Sequence, residues 1–172
     1  TVSDAEALWA ALGDDWNGTA TIVSNNGAPI AAMVDMNWRR AGEQAANTYR
    51  CEDATASGGG TSLFFPAVYR IKSGDTWQKY TSLVIQNLAS VPAFVTIKWY
   101  NRAGSLVYSY DTAIQANTSS GYNTRFGDNP ELFNALGDNF QGQVVVTSDQ
   151  RVVGLGTVTY IGGVDSYNAY IE

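Results

Sequence analysis

Apolar residues recur along this chain with two periods, and the change from one to the other marks its elements. Helical spacing appears twice and briefly. Ala5, Ala7, Leu8, Ala10, Ala11 and Leu12 run up to Gly13, and Leu132, Phe133, Ala135 and Leu136 run up to Gly137. Ser3 with Glu6 fits a capping box at the first start, and Asp128, Pro130 and Glu131 open the second. Helices this short do not hold alone in water, so each is expected to dock through Leu8 and Trp9, or through Leu132 and Phe133. Elsewhere the pattern is that of strands, over residues 63–70, 81–87, 93–100, 106–110, 120–125, 143–148, 152–161 and 166–171. Residues 93–100 alternate well, with Val95, Ile97 and Trp99 on one face and Phe94, Thr96, Lys98 and Tyr100 on the other. Pro66 places an edge or a bulge in the first of these strands. Val84 between Leu83 and Ile85 makes 81–87 a central strand, and the β-branched run at 143–147 reads as buried on both faces. Asn101-Arg102-Ala103-Gly104 is a hairpin turn. About eight short strands, with a turn signal roughly every ten residues, predict an all-β fold: an antiparallel Ig-like β-sandwich with a short helix.

The second half of that sandwich is already present once upstream, so the complete module is preceded by a duplicated half-module. Asp4, Leu8, Ala11, Leu12, Gly13, Asp14 and Gly18 meet Asp128, Leu132, Ala135, Leu136, Gly137, Asp138 and Gly142 at a single spacing of 124 residues (136 − 12). Trp9 and Trp16 fall on Phe133 and Phe140, and Ser24 falls on Ser148. Asn47 and Tyr49 match Asn168 and Tyr170 after a loop deletion. Strands are expected in the first copy at 18–24, 30–38 and 44–50. Asn25-Asn26-Gly27 is the turn that Asp149-Gln150-Arg151 makes in the second copy. Gly58-Gly59-Gly60, in a run of small polar residues, separates the copies. The chain divides into a half-repeat at 1–51, a flexible linker at 52–61 and a complete repeat at 62–172. Such a linker reaches roughly 16–20 Å as a random coil.

Composition narrows the partners. Charged residues make up 15% of the chain, well below the average of about 25%, and Asn, Thr, Ser, Gly and Tyr stand in their place. A net charge of −6, with no basic cluster beyond Arg39-Arg40, argues against nucleic acid. No apolar run approaches the ~18 residues of a membrane span, and Thr1-Val2-Ser3-Asp4 lacks the basic start and apolar run of a signal peptide. The single cysteine, Cys51, excludes an internal disulfide and is expected as a buried thiol rather than an intermolecular bridge.

Histidine is absent, which removes Ser-His-Asp and Cys-His mechanisms together with imidazole metal ligation. Asp14, Asp15, Glu131 and Asp138 are the candidate carboxylates for glycosidase-type chemistry. They fall at helix ends, where caps and the helix dipole favour acids. Asp14 and Asp15 with a loop carbonyl would suit calcium but lack the D-x-D-x-D spacing. No enzyme activity, cofactor or metal is expected. Trp38, Trp77, Tyr80 and Trp99 form the candidate sugar-stacking platform, weighed against the commoner use of rings in β-sandwich cores. Asn17-Gly18-Thr19 and Asn117-Thr118-Ser119 fit the glycosylation acceptor, so Asn17 and Asn117 are candidate glycan carriers, and the Ser/Thr-rich stretch 116–120 is a candidate for O-linked sugar.

Four stretches carry a resemblance: Phe65-Pro66-Ala67-Val68-Tyr69-Arg70, Ser82-Leu83-Val84-Ile85-Gln86-Asn87-Leu88, Val95-Thr96-Ile97-Lys98-Trp99-Tyr100 and Gly142-Gln143-Val144-Val145-Val146-Thr147-Ser148. Together they resemble repeated β-sandwich modules of secreted and surface proteins from filamentous, Chloroflexota-like bacteria. In those modules a closing strand followed by a proline-alanine strand is typical. Pro29-Ile30-Ala31-Ala32 keeps that element, whereas Val152-Val153-Gly154-Leu155 lacks the proline. The resemblance implies an extracellular or cell-surface bacterial location and carries over no catalytic residue.

A half-sandwich exposes a sheet face and unpaired edges, which template another chain. The expected function is that of an extracellular structural subunit that joins identical subunits head-to-tail, giving a filament or surface layer. Its expected interface is Leu8, Trp9, Trp16, Ile22, Val23, Ile30, Val34 and Trp38. The rival expectation is a monomeric cell-surface adhesion or carbohydrate-binding module whose front half packs on its own main domain.

Overall fold

The computed structural model describes residues 6–13, 19–40, 43–51, 53, 58–127 and 129–171, with the side chains of residues 9, 36–40 and 43–45 outside the description. In chain order the elements are α1 (Glu6–Leu12), β1 (Met33–Arg40), β2 (Glu43–Arg50), β3 (Gly60–Ser73), β4 (Thr76–Asn87), β5 (Ala93–Asn101), β6 (Leu106–Ile114), β7 (Ser119–Asn123), α2 (Pro130–Leu136), β8 (Asn139–Tyr160), β9 (Gly163–Asn168) and β10 (Tyr170–Ile171). All strand pairings are antiparallel: β1 and β2 form a hairpin of their own, and β3 to β10 form the main body.

The main body is an all-β sandwich in which two long strands serve both layers. The first part of β8 lies between β3 and β5, so that Val146 faces Leu63 on one side and Ile97 on the other. Its second part lies between β4 and β9, with Thr157 facing Ser82 and Ser166. One layer therefore reads β6-β5-β8-β3-β10 and the other β9-β8-β4-β7. The alternation expected in 93–100 holds: Val95, Ile97 and Trp99 are buried and Phe94 is exposed. Leu63, Phe65, Val68, Leu83, Ile85, Val144, Val146 and Val152 complete the packed interior, every member of which falls in β3 or later. Gly154 lets the layers approach, since a Cβ there would come within 2.5 Å of Phe65 Cζ. Tyr167 folds over the same region from β9, its ring centroid 6.5 Å from that of Phe65 and its hydroxyl donating to Ala67 O at 2.8 Å. As the proline predicts, the β3–β8 ladder shifts register between Phe65 and Val68, around Pro66. β4 is central, as expected.

Several expected boundaries move, each for a local reason. The turn expected at Asp149-Gln150-Arg151 is a bend inside the continuous β8, where Asp149 Oδ1 accepts from Phe94 N at 2.8 Å and Ser148 Oγ from Gln150 N at 3.1 Å. Gly60 and Thr61 open β3 rather than close a linker. Arg151 donates to Gly58 O at 2.8 Å and Gly59 O at 2.9 Å, which holds that entry in place. β7 stops at Asn123, because the Asn123 side chain accepts the Arg125 N–H at 2.7 Å and turns the chain away. α2 is capped by Asn129, whose side chain accepts from Leu132 N at 2.9 Å, whereas Asp128 and the Ser3 cap lie outside the described residues.

In the first copy the strand expected at 18–24 does not form over 19–24, and the strand expected from 30 begins at Met33. The cause is missing company. In the second copy the equivalent segment pairs on both sides, with β3 and β5. Residues 19–24 have neither neighbour, and an extended segment without ladder partners is not held as a strand.

Candidate functional site

The two helices align without a gap: α1 and α2 each have seven residues. Each ends at a glycine of positive φ, +70° at Gly13 and +65° at Gly137, the left-handed turn that ends a helix without a Cβ penalty. Their surroundings differ. Leu132 and Leu136 are buried, α2 lying against β6, whereas Leu8 is exposed and Leu12 half-buried. The contrast continues downstream: Val146 is 0% exposed and its counterpart Ile22 is 65% exposed.

Of the residues expected at a subunit interface, Leu8, Ile22, Val23 and Ile30 lie open on the surface, and Met33, which sequence reasoning missed, joins them. Val34 is half-buried opposite Tyr49 in the hairpin. Trp16 lies outside the described residues, and the side chains of Trp9 and Trp38 lie outside the description. The hairpin itself rests on its own domain. β2 runs beside β9, and Asn168 Nδ2 donates to Arg50 O at 3.0 Å. Burial raises the Tyr49 phenol above its usual pKa, and Cys51 next to it is half-buried rather than the buried thiol expected. Among the described residues the outer edge of β6 pairs with no strand, and Leu106 at its start is exposed.

A second surface is built at the end of the sandwich where the β3–β4 hairpin meets α2. The expected sugar platform divides there: Trp99 is fully buried in the core, Trp38 stands in β1 with its side chain outside the description, and Trp77 and Tyr80 meet edge-on with ring centroids 6.3 Å apart. Three cations surround the Trp77 indole, namely Arg70 at 4.9 Å, Arg125 at 5.8 Å and Lys72 at 5.9 Å. Arg70 is also 4.8 Å over Phe133 of α2, and it donates to Thr124 O and to Asp138 Oδ1, the latter at 3.2 Å. Its Nε is buried without a partner among the described residues. Burial pulls the Arg70 guanidinium below its ordinary pKa, and Asp138 offsets part of that. Arg125 lies 5.1 Å over Tyr80 and 5.6 Å over Phe126, and the Phe126 ring stands 6.3 Å from Tyr80.

The loop carrying Arg125 and Phe126 is pinned from beneath. Thr124 is fully buried. Its N–H donates to Thr81 O at 2.9 Å, its hydroxyl donates to Tyr69 O, and its Oγ accepts from Thr81 N at 2.9 Å. Sequence reasoning missed Arg70, Arg125 and Phe126, since three segments distant in sequence bring them together. The one local signal was Asn123, a turn former two residues ahead of Arg125.

The remaining candidates separate. Asn117 is exposed in a turn at φ +56°, so its acceptor triplet is accessible, and Asn17 lies outside the described residues. Asp138 is tied to Arg70, Glu131 accepts from the Tyr108 hydroxyl at 3.4 Å, and Asp14 and Asp15 lie outside the described residues. Among the described residues no group of three or more Cys, Asp or Glu is placed to hold a metal ion. No described helix is long and apolar enough to cross a membrane.

No protein-family model matches the sequence, and no curated protein matches it. Solved structures do. The chain is similar to Thermotoga maritima 1070, with 18% identity and a TM-score of 0.52 over 66% of this chain and 96% of that one. It is also similar to the Anabaena sensory rhodopsin transducer, with 21% identity and a TM-score of 0.45 over 58% of this chain and 97% of that one. The first likeness is one of fold, an antiparallel β-sandwich architecture shared across nearly the whole of the Thermotoga protein.

Proposed function

We propose that this chain is an extracellular bacterial structural subunit, without catalytic activity, that joins identical subunits head-to-tail into a filament or surface layer through its N-terminal half-repeat. The supporting observation is the contrast between copies. Leu132 and Val146, buried in the main body, correspond to Leu8 and Ile22, which lie open, as do Val23, Ile30 and Met33. Exposed apolar residues of this kind favour a surface for a partner. The weakly charged, Thr- and Tyr-rich composition and the accessible Asn117 triplet favour a surface location carrying glycan.

Of two ways of joining, exchange of equivalent halves or addition at an edge, the outer edge of β6, which pairs with no strand among the described residues, favours addition. Addition of residues 19–24 along the free edge of a neighbour's β6 leaves every complete module intact and repeats without closing. To test this, Ile22→Cys and Ser109→Cys are placed on separate chains in a Cys51→Ser background, mixed, and oxidised. The proposal expects mixed disulfide-linked species, and a product made only of unlinked chains removes the β6 edge as the acceptor.

The rival reading, a monomeric adhesion or carbohydrate-binding module, is favoured by one observation, the Trp77–Tyr80–Phe126 group of rings. A protein that stays monomeric in size-exclusion chromatography at high concentration would support it over assembly.

A further inference from the structure

We propose that Arg125, Phe126 and Tyr80 form a binding site for an acidic glycan, one whose sugar rings carry carboxylates. The inference stands on the cation and ring geometry at the α2 end of the sandwich and does not rest on the assembly reading.

Three cations stand around Trp77. Two of them have a carboxylate: Arg70 holds Asp138 at 3.2 Å and Lys72 holds Asp75 at 3.5 Å. Arg125 has none. Among the described residues no carboxylate, carbonyl or hydroxyl accepts from its guanidinium, which is held only between the rings of Trp77, Tyr80 and Phe126. Stacking on rings leaves the in-plane N–H groups of a guanidinium free, and that edge matches a carboxylate in two parallel hydrogen bonds.

The neighbouring ring supplies the other half of a sugar site. Phe126 is 58% exposed, beside Arg125 in sequence and in space, and the half-buried Tyr80 ring stands 6.3 Å from it. Apolar sugar faces stack on such rings, while the carboxylate on the ring's edge reaches the guanidinium. The site is pre-formed. Buried Thr124 bonds to both Tyr69 and Thr81, Asn123 Oδ1 accepts the Arg125 N–H at 2.7 Å, and Asn123 Nδ2 donates to Ser82 Oγ. A loop fixed in this way loses little freedom on binding. A neutral sugar would satisfy the ring and leave the guanidinium edge unmatched, which is why the acidic class is favoured.

The test is calorimetric titration of the full chain with a galacturonic acid oligomer and with the neutral galactose oligomer of the same length. The proposal expects heat from the acidic oligomer, and binding at least about tenfold weaker for the neutral one, the loss of one charge-assisted bond. Arg125→Gln should weaken the acidic oligomer about tenfold and leave the neutral one unchanged. Phe126→Ala should weaken both. Lys98→Gln, on the other layer, should change neither. Phe126 is exposed and half-buried Arg125 lies outside the packed core, so melting temperatures close to the parent chain's report intact folding. No heat from the acidic oligomer, equal affinity for the neutral one, or equal weakening by Lys98→Gln would each overturn the proposal.

Discussion

Leu8 and Leu132 stand 124 residues apart (132 − 8) at matching places in two similar sequence segments, yet Leu132 is 3% exposed and Leu8 is 42% exposed. The helix that carries Leu132 lies against β6, and its glycine stop is matched at the end of α1. Similar local signals thus give similar local structure, while among the described residues the leucines of α2 are covered and Leu8 is not. This yields a paired expectation. Leu132→Ala should lower unfolding stability by about 2–5 kcal/mol, the cost of a cavity where a buried leucine stood. Leu8→Ala should stay within about 0.5 kcal/mol in dilute solution, as for an exposed site. Urea unfolding of both variants under dilute conditions checks the pair. Equal losses would mean that α1 is already covered.

Gly154→Ala tests the inter-layer packing. The added methyl would meet Phe65 Cζ at 2.5 Å inside a filled core, so either the ring or β8 must shift. Overpacking of this kind costs about 1–3 kcal/mol. A lowered melting temperature with an unchanged far-ultraviolet spectrum is the expected result, and a thermally neutral variant would show that the layers have slack there.

Alkaline pH should unfold the sandwich through its tyrosines. Burial raises the phenols of Tyr110, Tyr122 and Tyr167 above the ordinary value, and the neighbouring Tyr122 and Tyr108 add to the shift at Tyr110. The neutral phenol is thus favoured in the folded chain, while the unfolded chain ionises near pH ~10. Their contribution to stability is complete below that pH and is lost as the pH rises toward the folded-state values. Denaturant midpoints should hold flat from neutral pH to about 9 and fall steeply above about 10. A midpoint that does not fall with phenolate formation would mean that these hydroxyls are solvated.

The strands were legible where one face is buried, because alternation records burial directly: Val95, Ile97 and Trp99 announce their side of β5. Leu8, Leu12 and Gly13 keep the spacing of Leu132, Leu136 and Gly137, and both segments are helices that end at a positive-φ glycine. Residues 19–24 misled, because their composition is that of a strand and strand formation requires partners that composition does not supply. The bend at 149–151 misled in the other direction: Asp-Gln-Arg has turn chemistry, but Asp149 spends it on the Phe94 N–H and the ladder continues on new neighbours. The ring and cation site was half legible. Trp77 and Tyr80 sit near each other in sequence, but Arg70, Arg125 and Phe126 come from two other segments.

The central claim, that the half-repeat joins one subunit to the next, is tested most directly by deleting residues 1–50 and comparing both forms by negative-stain electron microscopy and sedimentation velocity. Among the described residues every member of the packed core lies between Leu63 and Ala169, so the shortened chain should fold. The account predicts fibres or sheets from the full chain and a single monomeric boundary from the shortened one. Fibres from the shortened chain, or a strictly monomeric full chain at high concentration, would contradict it.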